Sequence, residues 1–361
     1  MTDLRTMKAV QLKGCGVVAV ESVPIPVPER GEALLKVIAA GVCQTDIHLR
    51  HDPSNYTPRG TILGHEIAGE IVALGEAVTG DWAVGARVVV HPCWACRNCS
   101  MCHSGRENAC QGNGARLIPP PTPGVTVNGG MAEFVRVPVS ALVAIGDLDP
   151  AIAAVLADAG LAPYHSVRLV RDRLVSGTTA VVIGVGGLGQ FAVQMLRLET
   201  AAKIVAVDIS ENALSLVSRY VDATIRADTE DAAEQILSVA GPGGAEVVID
   251  LVGNDASLRL AASIVAPYGA IQAIGLNAGT LPFEADQRSS VSLPWGVTLM
   301  KPYSGSYRDL SDVIALAQAG KLDASIIRFP LDEAVSAFDQ LEAGNISGRA
   351  VLMPCETSSS L

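Results

Sequence analysis

The chain has 361 residues, and at roughly 100–200 residues per domain that length favours two or three domains. Hydrophobic residues make up 49% and charged residues 17%, so a sizeable core is available and global disorder is excluded. The 26 Lys+Arg against 37 Asp+Glu leave a net charge of −11, which argues against nucleic acid or an anionic membrane as the main partner, since both reward clustered positive charge.

The N-terminal MTDLRTMKAV has no basic stretch followed by an apolar one, so no secretory signal and a cytoplasmic location are expected. Up to about residue 145 the chain reads as β-rich, with apolar runs at Lys8–Leu12, Ala33–Ala40, Glu66–Leu74, Ala86–Val90 and Ala132–Val137 between Gly, Pro and Asp punctuation. Pro119–Pro121 with Pro123 and Gly124 reads as a loop. Asp149-Pro150 then opens a helical pattern over about 150–172. Beyond Thr178, strands alternate with helical patterns: Ala180–Ile183, Gln190–Leu198, Ile204–Val207, Asn212–Tyr220, and the strands Val247–Val252 and Ala270–Gly275. Continuously apolar strands in such alternation imply α/β architecture, a parallel sheet covered on both faces. Helices at Asp309–Ala319 and Leu331–Ala343, joined by a loop, precede a last strand, Arg349–Met353. The uncharged run Leu174–Leu196 is long enough to span a bilayer, but its five glycines and its Thr and Gln residues fit a strand, turn and helix better.

Within that run, Ala180–Ile183 is followed by Gly184-Val185-Gly186-Gly187-Leu188-Gly189 and a helical pattern. Glycines that leave a strand and open a helix let backbone N–H groups meet a pyrophosphate. The next strand ends at Asp208, nineteen residues past Gly189. A carboxylate there bonds the adenosine ribose hydroxyls and repels a 2′-phosphate, so NAD is expected rather than NADP.

Five of the eight cysteines lie between Cys93 and Cys110. Without secretion they read as metal ligands rather than disulfides. Cys96, Cys99, Cys102 and Cys110 suit a closed, structural four-thiolate zinc site. The set Cys93, Cys96, Cys99, Cys102 and an iron–sulfur cluster are the alternatives. Cys43 and Gly64-His65-Glu66 carry little weight alone, because a single Cys or His is more often a core residue than a ligand.

Taken together, Gly41-Val-Cys43-Gln-Thr45-Asp46-Ile-His48, Gly64-His65-Glu66-Ile-Ala-Gly69-Glu70, the four-cysteine lobe and the glycine turn resemble, in this order, the zinc-dependent medium-chain alcohol dehydrogenases. The resemblance covers essentially the whole chain. The segment Leu156-Ala-Asp158-Ala-Gly160-Leu-Ala-Pro-Tyr-His is similar to bacterial NAD-dependent secondary-alcohol dehydrogenases, in which an Asp replaces the second Cys ligand of many relatives. The resemblance implies a GroES-like catalytic domain from residues 1–158 and 303–361, a Rossmann domain from 159–302, and an active site in the cleft. It implies a catalytic zinc on Cys43, His65 and Asp158, with Glu66 beside it as an alternate ligand and Asp46 orienting His65. With the structural site that makes two zinc ions per chain. The open position then ionises an alcohol to an alkoxide, from which hydride passes to NAD. Thr45 and His48 match the family's proton relay. Tyr56, Ile118 and Trp295 fall in regions that line its substrate pocket, and Arg349 is placed to touch the pyrophosphate. The segment Asp208-Ile-Ser-Glu211-Asn-Ala departs from the family, many members of which carry a basic residue there. The implied enzyme is a homodimer or homotetramer acting reversibly on secondary alkyl or aryl alcohols and ketones. A polyol, threonine or other specialised dehydrogenase of the same superfamily is the alternative, and a zinc-stabilised nucleotide-binding protein without chemistry the non-enzymatic one.

Overall fold

The computed structural model describes residues 5–14, 16–54, 56–112, 117–282 and 293–354. Cys15 and Cys355, which have no assigned role, lie outside these. The chain divides into two compact units, Met1–Leu161 with Ser304–Leu361, and Ala162–Tyr303.

The first unit opens with a hairpin, β1 (Thr6–Gly14) against β2 (Val17–Pro24). Strand β3 (Glu32–Val42) is the unit's central strand, with Leu35, Val37, Ala39, Ala40 and Val42 wholly buried. Helix α1 (Gln44–His51) follows at once; Cys43 is its N-cap, and the Cys43 amide donates to Asp46 Oδ2 at 2.9 Å, closing a capping box. Then come β4 (Glu66–Leu74), β5 (Arg87–Val90), the short α2 (Ser100–His103), β6 (Phe134–Pro138) and β7 (Leu142–Ala144). The helical stretch starts as expected: Pro150 opens α3 (Pro150–Val155), and Asp149 accepts from the Ala151 amide at 2.9 Å. It is interrupted by a π turn, Leu156–Gly160, before α4 (Leu161–Val170).

The second unit is a six-stranded parallel sheet. Its elements are β8 (Thr179–Ile183), α5 (Gly189–Glu199), β9 (Lys203–Asp208), α6 (Glu211–Val217), β10 (Ala223–Arg226), α7 (Ala232–Ala240), β11 (Ala245–Asp250), α8 (Asp255–Ile264), β12 (Val265–Ala273) and β13 (Thr298–Met300). The order β10-β9-β8-β11-β12-β13 is the doubly wound Rossmann order. Val181, Val205, Val248 and Ile271, all wholly buried, form its core. The mixed α/β class follows the sequence reading. The short edge strands β10 and β13 were not anticipated, because edge strands bury few side chains and leave little apolar pattern.

The chain returns to the first unit with α9 (Tyr307–Gln318), β14 (Ile326–Pro330), α10 (Ala334–Glu342) and β15 (Arg349–Met353). Wholly buried Ala350, Val351 and Leu352 seat β15 antiparallel to β3, giving the order β14-β15-β3-β4-β5-β7, with β6 also on β3. The stretch read as a loop before α10 is thus strand β14, whose single buried side chain, Phe329, left it unmarked. Among the described residues no helix is long and apolar enough to cross a membrane.

Candidate functional site

Strand register assembles the first site. Gly41 pairs with Glu66 across β3–β4, and Val351 pairs with Gly41 across β15–β3. Carrying those registers past the strand end brings His65 and Arg349 beside Cys43. Asp158 arrives from the π turn, a kink of the kind that concentrates at functional positions. Cys43 Sγ lies 3.4 Å and His65 Nε2 3.6 Å from Asp158 Oδ2. The edges of a tetrahedral zinc shell with these ligand types are about 3.3–3.7 Å, so the three atoms fit one ion. Glu66 completes a group whose ligand atoms all lie within 4.8 Å of one another.

The surroundings fit as well. Asp46 Oδ1, His65 Nδ1, Glu66 Oε2 and Arg349 Nε are buried without hydrogen-bond partners, a concentration that a polar core tolerates only around something absent from the chain itself. Asp46 Oδ1 stands 3.8 Å from His65 Nδ1, while the ring's other nitrogen faces Asp158 in the cluster. Buried Arg349 pairs with Glu66 and stands 3.8 Å from Asp158 Oδ2. A Cβ on residue 41 would fall 1.7 Å from Glu66 Oε2, so Gly41 makes the room for that carboxylate. With Glu66 neutralised by Arg349, the Cys43 thiolate and the Asp158 carboxylate match a dication.

Burial alone would raise the Asp158 pKa, but His65 and Arg349 hold it down to about 2. Burial would lower that of His65; Asp46, Asp158 and Cys43 outweigh it and keep the imidazole well above its ordinary range. Metal must therefore displace a proton from His65. Affinity at this site is expected to fall as pH is lowered, about tenfold per pH unit for each proton displaced. Competition against a chromophoric chelator at several pH values measures it; a flat profile contradicts it.

Thr45 and His48 lie on α1 three residues apart and so on one face, with Thr45 Oγ1 3.7 Å from Cys43 Sγ. Both are half-buried.

The second group is Cys96, Cys99, Cys102 and Cys110. Sulfur separations of 3.9 Å (Cys96–Cys102), 3.5 Å (Cys99–Cys102) and 4.0 Å (Cys99–Cys110) suit four thiolates on one ion, whose tetrahedral edge is about 3.8 Å. An iron–sulfur cluster would hold the sulfurs farther apart. Backbone amides of Cys96 and Gly112 donate to Cys110 Sγ at 3.3 Å, and that of Gln111 to Cys99 Sγ at 3.4 Å. Such bonds favour the thiolate, and Cys99 is drawn down to about 6 by amide donors. Cys93 is not part of this group; it is buried, and desolvation pushes its thiol up to about 12. Arg97, held at φ +59, anchors the lobe by donating to Glu107 (3.1 Å) and the Ser140 carbonyl (2.6 Å) and by lying over the Tyr307 ring.

In the second unit the glycine turn leaves buried β8 at Gly184, whose φ of +87 suits glycine. A Cβ on residue 189 would meet the Gly184 carbonyl at 2.2 Å, so Gly189 lets α5 start against the strand. A Cβ on residue 186 would meet nothing within 4 Å apart from its immediate chain neighbours, leaving room for a phosphate to approach the backbone. Asp208 Oδ2 accepts from the Val185 amide at 2.7 Å and Oδ1 from Ser210 at 2.8 Å. The carboxylate thus ties the glycine turn to the β9–α6 turn, which the sequence did not foretell, and keeps further lone pairs for a ribose. Arg349 sits in the metal cluster of the first unit, engaged by Glu66. Tyr56, Ile118 and Trp295 are exposed to 49%, 49% and 69%, the first two in the first unit and Trp295 in the second.

A buried Cys, His and carboxylate group able to hold a metal, a separate four-thiolate lobe and a Rossmann turn in one chain are the features of a zinc-dependent dehydrogenase. The family described as the alcohol dehydrogenase GroES-like domain matches residues 29–147, and that described as zinc-binding dehydrogenase matches 187–319. A D-arabinose 1-dehydrogenase (NADP(+)) of Saccharolobus solfataricus is 33% identical over 93% of this chain and 94% of its own. An NAD-dependent alcohol dehydrogenase of Sulfurisphaera tokodaii is 32% identical over 96% and 100%. Among solved structures, the alcohol dehydrogenase of Aeropyrum pernix superposes with a TM-score of 0.88 at 30% identity, covering 96% of this chain and 100% of that one. The acetophenone reductase of Geotrichum candidum, in complex with NAD, gives 0.83 at 28% identity over 96% and 97%. The chain belongs to the zinc-binding alcohol dehydrogenase family, and it is an oxidoreductase.

Proposed function

We propose that this enzyme interconverts secondary alkyl or aryl alcohols and their ketones with NAD, using Cys43, His65 and Asp158 for a catalytic zinc and Cys96, Cys99, Cys102 and Cys110 for a structural one. The observation that carries the reading is the convergence of Cys43, His65 and Asp158 on one point, with the neighbouring Glu66 engaged by Arg349, in a chain that also holds a separate set of four converging cysteines. Relatives named NAD-dependent alcohol dehydrogenases, and the acetophenone reductase bound to NAD, support the chemistry and the cofactor. A zinc ion in the open site would supply Lewis acidity, lowering the pKa of an alcohol hydroxyl. The chain does the rest. Asp46 fixes the His65 ring, burial of Cys43 and His65 keeps water away, and Arg349 neutralises Glu66. Thr45 takes the hydroxyl proton, and His48 passes it to solvent. Glycines 184, 186, 187 and 189, with the Leu188 backbone, cradle the pyrophosphate, while Asp208 holds the adenosine ribose. Tyr56 and Ile118 of the first unit, and separately Trp295 of the second, are each assigned to apolar contact with the substrate. The family resemblance further supports a cytoplasmic homodimer or homotetramer with domain boundaries at 158/159 and 302/303.

A sugar or polyol substrate is the second reading, favoured by the D-arabinose dehydrogenase among the relatives. The test is turnover with NAD and NADP across secondary, primary and aryl alcohols, polyols, threonine and aldoses, with and without a zinc chelator. Preference for an aldose or polyol replaces the substrate assignment; turnover untouched by a strong chelator in a zinc-depleted enzyme removes the metal assignment. Thr45→Ala is expected to lower kcat by about 10²–10⁴-fold, with Thr45→Ser keeping most of it, because only the hydroxyl moves the proton. Equal losses in the two variants would point to packing instead.

A further inference from the structure

The adenosine corner of the proposed dinucleotide site holds a charge network that the reading above does not use. Arg226, the last residue of β10, is the register partner of Asp208 at the end of β9, and the Ala227 amide donates to the Asp208 carbonyl at 3.0 Å. Paired residues on adjacent parallel strands send their side chains to the same sheet face, about 4.8 Å apart at the backbone. Ligands of doubly wound sheets bind outside the carboxyl ends of the strands, where both residues sit. The segment after Asp208 has no basic residue as far as Ala213, so Arg226 brings a cation to this corner from the neighbouring strand instead.

That cation is already engaged. Arg226 Nε donates to Asp228 Oδ1 at 2.8 Å and Nη2 to Asp228 Oδ2 at 2.5 Å, a two-pronged pair, while Nη1 lies 3.4 Å from Glu211 Oε1. With Asp208, these groups carry two net negative charges. A ribose 2′-hydroxyl is neutral and tolerates them, whereas a 2′-phosphate carries close to two negative charges of its own and meets repulsion from three carboxylates. The guanidinium fork is also the side chain best shaped to grip a phosphate.

We propose that Asp228 and Glu211 set the preference for NAD over NADP by occupying Arg226, so that Asp208 is not the sole discriminator and Arg226 is a latent site for a 2′-phosphate. This rests on the dinucleotide reading of the glycine turn. Neutralising the two carboxylates leaves the fork free while Asp208 still faces the ribose.

The experiment is calorimetric binding of adenosine 2′,5′-bisphosphate and of 5′-AMP to the intact enzyme, the Asp228→Asn/Glu211→Gln variant, and that variant with Arg226→Ala added. Kinetics with NADP and NAD are measured in parallel. The double variant should shift the bisphosphate-to-AMP affinity ratio about tenfold or more toward the bisphosphate, with the NADP-to-NAD ratio of kcat/KM moving alike, and Arg226→Ala should abolish both shifts. Where the double variant does not fold, Asp228→Asn alone carries the test with a smaller shift. AMP bound with an unchanged ratio, or a gain that survives Arg226→Ala, overturns the role of this network and leaves the dinucleotide site standing. A folded wild type that binds neither nucleotide overturns the dinucleotide reading itself.

Discussion

Cys43→Ala should leave a folded chain holding about one zinc ion instead of about two, with turnover reduced at least about 10⁴-fold. The side chain contributes the thiolate 3.4 Å from Asp158 Oδ2, and two remaining ligands cannot retain a metal whose open sites use three. The fold should persist, because the Cys43 backbone amide, which alanine keeps, still donates to Asp46 Oδ2 in the α1 cap. Metal analysis with kinetics on the purified variant measures both effects. Retention of both metal ions with near-normal turnover would show that the convergence of Cys43, His65 and Asp158 is not the catalytic centre.

The second large effect is on stability. Cys102→Ala removes one thiolate from a set whose sulfurs stand 3.5 and 3.9 Å from it. Apparent zinc-binding free energies of about 10–16 kcal/mol in zinc-finger peptides set the upper limit; a lobe also anchored by Arg97 should lose part of that, on the order of several kcal/mol. The expected signature is a lower thermal midpoint, early proteolysis between Trp94 and Gly112, and loss of one metal while the open site keeps its own. Gly112→Val should reproduce it without replacing a ligand, because a Cβ there would lie 2.6 Å from Cys96 Cβ and 2.9 Å from its sulfur and push that ligand out of place. An unchanged midpoint in both variants would deny the lobe a structural metal.

The parts legible in the sequence are those whose information is local. The glycine turn is recognisable because close approach and a positive φ demand glycine at fixed spacing, as Gly184 and Gly189 show. The four-cysteine lobe is equally local, since its ligands span only residues 96–110. Strands β8, β9 and β11 announce themselves as continuous apolar runs because both sheet faces are covered. Helix α1 gave no such signal: its short, mostly polar sequence buries only Asp46, Ile47 and Leu49. Helices α7 and α8 have apolar faces, but their short spans give no pattern that stands out in the sequence.

The catalytic cluster belongs to the other kind. Cys43 and Asp158 are 115 residues apart, and Glu66 and Arg349 are 283 apart. Only family resemblance connected the first pair beforehand, and nothing in the sequence connected the second. The same holds for the Asp208 bonds to Val185 and Ser210 and for the Arg226 network beside them. By itself, then, the sequence determined a doubly wound dinucleotide unit, a β-rich unit and a closed cysteine lobe, because backbone sterics and short ligand spacing act within a few residues. The tertiary structure decided which distant side chains face one another, because strand register and one π turn carry residues across the chain to a shared point, and no local pattern encodes that meeting.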